Sequence, residues 1–131
     1  MKTVFLLFVL LPVIIVGCAQ SPEGPEWIEE KMYTSEADLP STAVVGEPVI
    51  FTLRSWLPNS CWKFSHIGIN SSGYDVFVTA YMKRSPEDII CLDVVTPVAE
   101  EGAYIPEFPG EYRFHFWRSD TLTLDYTVIA Q

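Results

Sequence analysis

Cysteine, histidine and carboxylate side chains carry most covalent and coordinate chemistry in proteins, and this chain holds three Cys, two His and 17 Asp and Glu. The acids include three adjacent pairs, Glu29-Glu30, Glu87-Asp88 and Glu100-Glu101. A carboxylate pair performs acid–base catalysis when both members face one substrate and only one holds a proton. Adjacent residues on turns instead point apart into solvent, so these pairs are not expected to be catalytic. No Gly-x-Ser-x-Gly elbow occurs for a serine nucleophile, and no glycine loop of the phosphate-cradling kind. Asp93, Glu100 and Glu101 come nearest to a calcium site, without the alternating-oxygen spacing such a loop needs. His66 and His115 could join Cys61 and Cys91 around a metal, but neither C-x-x-C nor H-x-x-x-H spacing is present. The expectation is a non-enzymatic chain without a cofactor or metal.

Cys18 stands apart from that set because of what precedes it. Met1-Lys2-Thr3 is a short cationic start, and residues 4–16 form a 13-residue apolar run interrupted only by Pro12. A membrane span needs about 20 apolar residues; a run this short fits a secretory leader. Ile15-Val16-Gly17-Cys18 resembles the bacterial lipobox. That resemblance implies a diacylglycerol on the Cys18 sulfur, cleavage just before it, and usually an acyl group such as palmitate on the new amino terminus. Two or three acyl chains anchor a protein stably where one does not. The competing readings are an ordinary secretory leader with a coincidental Cys, or a small core helix. Ala19 stands where Asp resembles an inner-membrane retention signal, so the outer membrane is the expected address in a Gram-negative host. The chain thus divides into a lipoprotein signal peptide (1–17), a lipidated Cys with its tether (18–25) and one domain (26–131). Gln20-Ser21-Pro22-Glu23-Gly24-Pro25 has the turn-rich composition of a tether.

All 17 acids and every cation except Lys2 follow Cys18, so the mature chain is one unit more negative than the −9 of the full sequence. That charge repels nucleic acid, which is not an expected partner. It equally disfavours adsorption to anionic headgroups, leaving the lipid on Cys18 as the expected membrane contact.

With Cys18 committed to lipid, Cys61 and Cys91 remain as an even pair in an exported domain and read as a disulfide. In a simple meander of strands 61–69, 74–84 and 89–95, Met82 would lie between them. They would then be about 10 Å apart, too far to bond. A bridge therefore requires the chain carrying Cys91 to leave the meander and cross to an opposite sheet. Free thiols are the alternative.

Short β-type runs punctuated by breakers fill the rest. Residues 27–34 read as a strand, with a helical turn over 28–32 as the alternative. Val49, Phe51 and Leu53 share one face of a second strand. Trp62 and Phe64 fall out of phase with Ile67 and Ile69, which predicts a bulge near Ser65-His66. Asn70-Ser71-Ser72-Gly73 is the expected turn into a strand over 74–83, and Ser85-Pro86-Glu87-Asp88 the turn into a strand over 89–95. Tyr112, Phe114 and Phe116, then Leu122, Leu124, Tyr126 and Val128, alternate with polar residues as a closing hairpin.

Gly46-Glu47-Pro48 before one strand and Pro109-Gly110-Glu111-Tyr112 before the penultimate one resemble bacterial immunoglobulin-like domains. Leu57-Pro58-Asn59-Ser60-Cys61-Trp62, followed by Cys91, is similar to uncharacterised lipoproteins of that fold. The resemblance covers about residues 40–130 and implies an all-β, immunoglobulin-like antiparallel sandwich of about seven strands. Tyr112 would sit at the sandwich corner. It implies no particular task, because the fold hosts many.

Trp56, Trp62, Tyr104, Phe108 and Trp117 exceed what so small a core holds, which makes them candidate partner-binding residues. In the alternative they cap the ends of the sandwich. The expected activity is binding or assembly at the cell envelope, with an envelope protein or glycan as partner. A rival comes from chagasin-like cysteine-protease inhibitors. Asn70-Ser71-Ser72-Gly73-Tyr74 is similar to their Asn-Pro-Thr-Thr-Gly-Tyr loop, but it falls late in the chain, and their second Gly-rich loop and Arg-Pro-Trp are missing.

Overall fold

The computed structural model describes residue 24 and residues 26–131, and every regular element among them is a β-strand. The leader, Cys18 and the rest of the tether lie outside the described residues. The strands are β1 (Ile28–Met32), β2 (Glu36–Asp38), β3 (Thr42–Ala43), β4 (Val49–Leu57), β5 (Lys63–Ser72), β6 (Asp75–Arg84), β7 (Thr96–Tyr104), β8 (Gly110–Ser119) and β9 (Leu122–Ala130). Segment 28–32 is thus a strand and not a helical turn. The count reaches nine because β2 and β3 are fragments of three and two residues.

Two sheets form a sandwich. The larger runs β1-β6-β8-β9-β3 with β5 on the other edge of β6; the smaller is β2-β4-β7. One edge of β6 is shared by two partners. Asp75–Val78 pair in parallel with Arg113–Phe116 of β8, and Ala80–Arg84 pair antiparallel with β1. β3 also pairs in parallel, with the end of β9. Period-two alternation then aims one face of each long strand inward. Val49, Phe51, Leu53 and Leu57 of β4 are buried against Val76, Val78 and Ala80 of β6 and Tyr112, Phe114 and Phe116 of β8. Phe51 meets Phe114 and Phe116 edge-on, with centroids 6.2 and 5.4 Å apart, as aromatic quadrupoles prefer. Gly102, opposite Phe51 in the β4–β7 register, leaves room for that ring; a Cβ there would collide with it.

The expected bulge is present: the β5–β6 register shifts between Phe64 and His66. The turn that follows lies further on than expected. Asn70, Ser71 and Ser72 belong to β5, and Gly73-Tyr74 make a two-residue turn, with Ser72 paired to Asp75. Gly73 carries φ +61, as the first central residue of such a hairpin requires.

Cys61 and Cys91 are bonded, 30 positions apart. As the bridge required, the chain leaves β6 and crosses to the other sheet. The expected strand over 89–95 does not form, however. Residues 89–95 are irregular and, apart from half-buried Cys91, exposed, and the strand that pairs with β4 is β7, over Thr96–Tyr104. Crossing between sheets takes the backbone out of reach of either ladder, so an apolar β-branched run has nothing to pair with. β7 is an edge, and its Pro97, Glu100 and Glu101 suit an edge, where proline and charge discourage further pairing. Glu100 and Glu101 are therefore strand neighbours on opposite faces, and not turn residues.

Candidate functional site

The strands run between two ends of the sandwich. β6 has Asp75 at one end and Arg84 at the other, about 30 Å away at the usual rise. β1 pairs Ile28 with Arg84, so the chain enters the domain at the Arg84 end. At the far end a cleft of about 330 Å³ opens between the Gly73-Tyr74 turn, the 105–109 loop and the strand ends bearing Tyr104 and Tyr112.

The cleft is built outward from Tyr112. Its alternation in β8 buries the ring, and its hydroxyl donates to the Phe108 carbonyl at 2.9 Å and accepts the Phe108 N–H at 3.2 Å. A tyrosine at the start of a late strand that bonds backbone a few residues upstream is the corner device of immunoglobulin-type sandwiches. Tyr74 packs edge-on against Tyr112 at 5.0 Å and donates its hydroxyl to the Pro109 carbonyl at 3.0 Å. Gly110 permits this approach, since a Cβ there would lie 2.6 Å from the Tyr74 ring, and its φ of +148 suits glycine alone. The Gly46 N–H bonds the Pro106 carbonyl at 2.9 Å and ties the loop to the β3–β4 connection. The loop backbone is thus fixed at several points, while Tyr74, Ile105 and Phe108 remain exposed, Phe108 to 63%. Glu107 is the one carboxylate among the lining residues. An aromatic and aliphatic rim on a backbone held at several points, with one acid, can bind an apolar or stacking group. It holds no acid–base pair.

The five aromatics singled out from sequence do not gather in one place. Tyr104 and Phe108 share the cleft. Trp56 lies on the outer face of the smaller sheet, beside a shallower cleft of about 430 Å³ with Arg54 and Pro97. Trp117 lies on the outer face of the larger sheet under the Lys31 ammonium, 5.4 Å from the ring centroid. Trp62 belongs to the core, 9% exposed beneath the Arg84 guanidinium. Its phase with Phe64 puts both on the inward side of the bulge, so it has no surface to offer a partner. Tyr74 was missed because the expected turn put it inside a strand.

The outer face of the larger sheet holds a second group that spacing does not suggest. His115 Nδ1 lies 2.8 Å from Asp125 Oδ1, and Nε2 lies 2.8 Å from Asp75 Oδ1. Phe77 stacks on the imidazole at 5.0 Å, and His66 stacks on Tyr81 at 4.6 Å. Burial works against a charge on His115, but hydrogen bonds to Asp75 and Asp125 and their negative charges prevail and raise its pKa. Bonds from Thr123 and His115 lower that of Asp125 in turn. When the ring is protonated, both imidazole nitrogens can donate, one to each carboxylate. Among the described residues no group of three or more His, Cys, Asp and Glu is arranged to hold a metal.

No protein-family model, curated protein or solved structure matches the chain.

Proposed function

We propose that the chain is a lipid-anchored protein of the cell envelope, held by Cys18, whose domain is a non-catalytic binding or assembly module. The cleft opposite the point of chain entry is its partner site, and the partner is an envelope protein or glycan. One observation carries this reading: a clamped loop presents Phe108, with Tyr74 and Ile105 beside it, at the end of the sandwich opposite Ile28. Rigid, exposed aromatics are the side chains that dominate binding energy at interfaces. The Tyr112 corner supports the immunoglobulin-like reading, although β6 pairs with β8, and β3 with β9, in parallel where the expected plan is antiparallel. The inhibitor alternative draws no support, because Asn70, Ser71 and Ser72 are paired in β5 and only Gly73-Tyr74 projects as a turn.

The test uses chemical crosslinking in intact envelopes of the native host. The wild-type chain should yield a discrete adduct that Phe108→Ser abolishes and Trp56→Ser leaves unchanged, while both variants melt as wild type does. An adduct indifferent to Phe108→Ser refutes the cleft as the site. The anchor is read separately, by mass: the amino-terminal peptide should begin at Cys18 and carry glyceride and acyl groups, which Cys18→Ser removes.

A further inference from the structure

Among the described residues, exposed aliphatic side chains concentrate at the end where the chain enters the domain. Ile89 and Ile90 are 89% and 83% exposed, and Leu92, Val94 and Val95 each remain more than half exposed. Trp27 and Ile28, at the chain's entry to the domain, are exposed at the same end. This is no frayed segment. Cys91 is bonded to Cys61, Ser60 N–H donates to the Leu92 carbonyl at 3.0 Å, and Leu92 N–H donates to Ser60 Oγ at 2.8 Å. The Arg84 guanidinium holds the Asp88 carbonyl at 2.7 Å. A backbone pinned at these points keeps five aliphatic side chains in water, which the hydrophobic effect opposes and which marks a contact surface.

The covalent chain limits what can cover it. Eight Cα steps join Cys18 to Glu26, at most about 28 Å in length and about 16 Å as a flexible coil. Ile28 is paired with Arg84, the residue from which segment 85–95 departs. A lipid on Cys18 therefore keeps this end of the sandwich within a tether's length of the bilayer, and the opposite cleft about 30 Å further out. Trp27 adds the side chain that favours membrane interfaces, with the Lys83 ammonium 4.9 Å above its ring, an apolar plate with a cationic tip.

We infer that residues 89–95, with Trp27 and Ile28, rest in the interfacial layer of the bilayer that holds the Cys18 lipid, so that the domain stands upright with its cleft facing away. This inference rests on the lipoprotein reading. The anchor supplies the local concentration and the apolar segment supplies orientation, an intramolecular second contact that needs little affinity of its own. Glu87, Asp88 and Asp93 flank the aliphatic residues, so the matching surface is zwitterionic and not anionic.

The test reconstitutes the full lipidated protein into phosphatidylcholine vesicles containing a phosphatidylcholine with a photoactivatable diazirine in its acyl chain, and maps the labelled peptides by mass spectrometry. Label should concentrate at 27–28 and 89–95 and be absent from 105–108. Ile89→Ser with Ile90→Ser should lower labelling of 89–95 several-fold with melting and tether labelling unchanged, and Ile90→Leu should keep it. Anchored protein with label on the tether but none on 89–95 overturns the inference and leaves the anchor standing. Protein that carries no lipid by mass and does not float with vesicles overturns both. A segment 89–95 that crosslinks to a second copy in place of lipid also overturns it, by assigning the surface to self-association.

Discussion

Breaking the Cys61–Cys91 bridge should cost roughly 3–4 kcal/mol. The bonded residues are 30 positions apart and enclose β5, β6 and the crossing segment. In the chain-entropy model, freeing a loop of that length returns about 12 cal/mol/K to the unfolded chain, which gives that figure at 25 °C. A domain of this size unfolds with an entropy near 0.2 kcal/mol/K, so the melting midpoint should fall by about 15–20 °C. The perturbation is Cys61→Ala with Cys91→Ala, since Cys61 is buried and a polar replacement would add its own cost. The assay is urea unfolding followed by tryptophan fluorescence. The slope against urea should also rise, because the uncrosslinked unfolded chain exposes more surface. Limited proteolysis separates global from local effects: without the bridge, only the Ser60 and Arg84 bonds hold segment 85–95. Cleavage there with a stability loss under about 1 kcal/mol and an unchanged slope would refute the entropic account. The bridge would then be a local clamp on the crossing, and its loop length irrelevant.

Gly102→Ala should destabilise by about 1–3 kcal/mol, because the new methyl meets the buried Phe51 ring and neither can withdraw; urea midpoints measure it, and a neutral result refutes the packing argument. Tyr112→Phe removes an acceptor and a donor for Phe108 and should cost about 1–3 kcal/mol, with faster amide exchange at Phe108 as the local readout. The pKa of His115 is raised, so its stabilising contribution is complete below the ordinary 6.5 and fades as pH rises through the higher folded value. Asp125 acts in the opposite sense, with a contribution present above 3.8 that is lost as pH falls through its lowered value. An NMR titration should place the His115 midpoint above 6.5 in the wild type and lower in Asp75→Asn; an equal midpoint in both refutes the pairing.

Period two made β4, β8 and β9 legible, because each buries one face and a single slip would expose Phe51 or Phe114. The β5 bulge was legible for the same reason: Trp62 and Phe64 cannot share a face with Ile67 and Ile69 unless a residue is inserted. Segment 89–95 misled because strand propensity describes fit to a half-buried pleated surface, and β-branched residues satisfy it whether or not a neighbour exists. β7 was obscured by Pro97, Glu100, Glu101 and Gly102, residues that read as loop. An edge strand accepts the first three, and Gly102 is there to admit a ring from another strand. His115 between Asp75 and Asp125 was illegible in principle. Its partners lie 40 and 10 positions away, and the first comes into reach only through the parallel pairing of β6 with β8, which no local pattern announces.

That parallel pairing also gives the domain its polarity. Because β6 and β8 start at the same end, the turn before β6 and the loop before β8 meet there. Tyr74 from one and Phe108 from the other can then border a single cleft. Their other ends point toward the bridge, the chain entry and the exposed crossing segment. An antiparallel β6–β8 pair would place the 73–74 turn and the 105–109 loop at opposite ends, and the aromatic rim would be divided. Four residue pairs, Asp75–Val78 against Arg113–Phe116, therefore decide that the aromatic cleft and the apolar crossing lie at opposite ends of the domain. The core residues Val76, Val78, Phe114 and Phe116 specify that register by burying the same face of both strands. Packing in the interior thus separates the surface proposed to meet a partner from the surface proposed to meet the membrane.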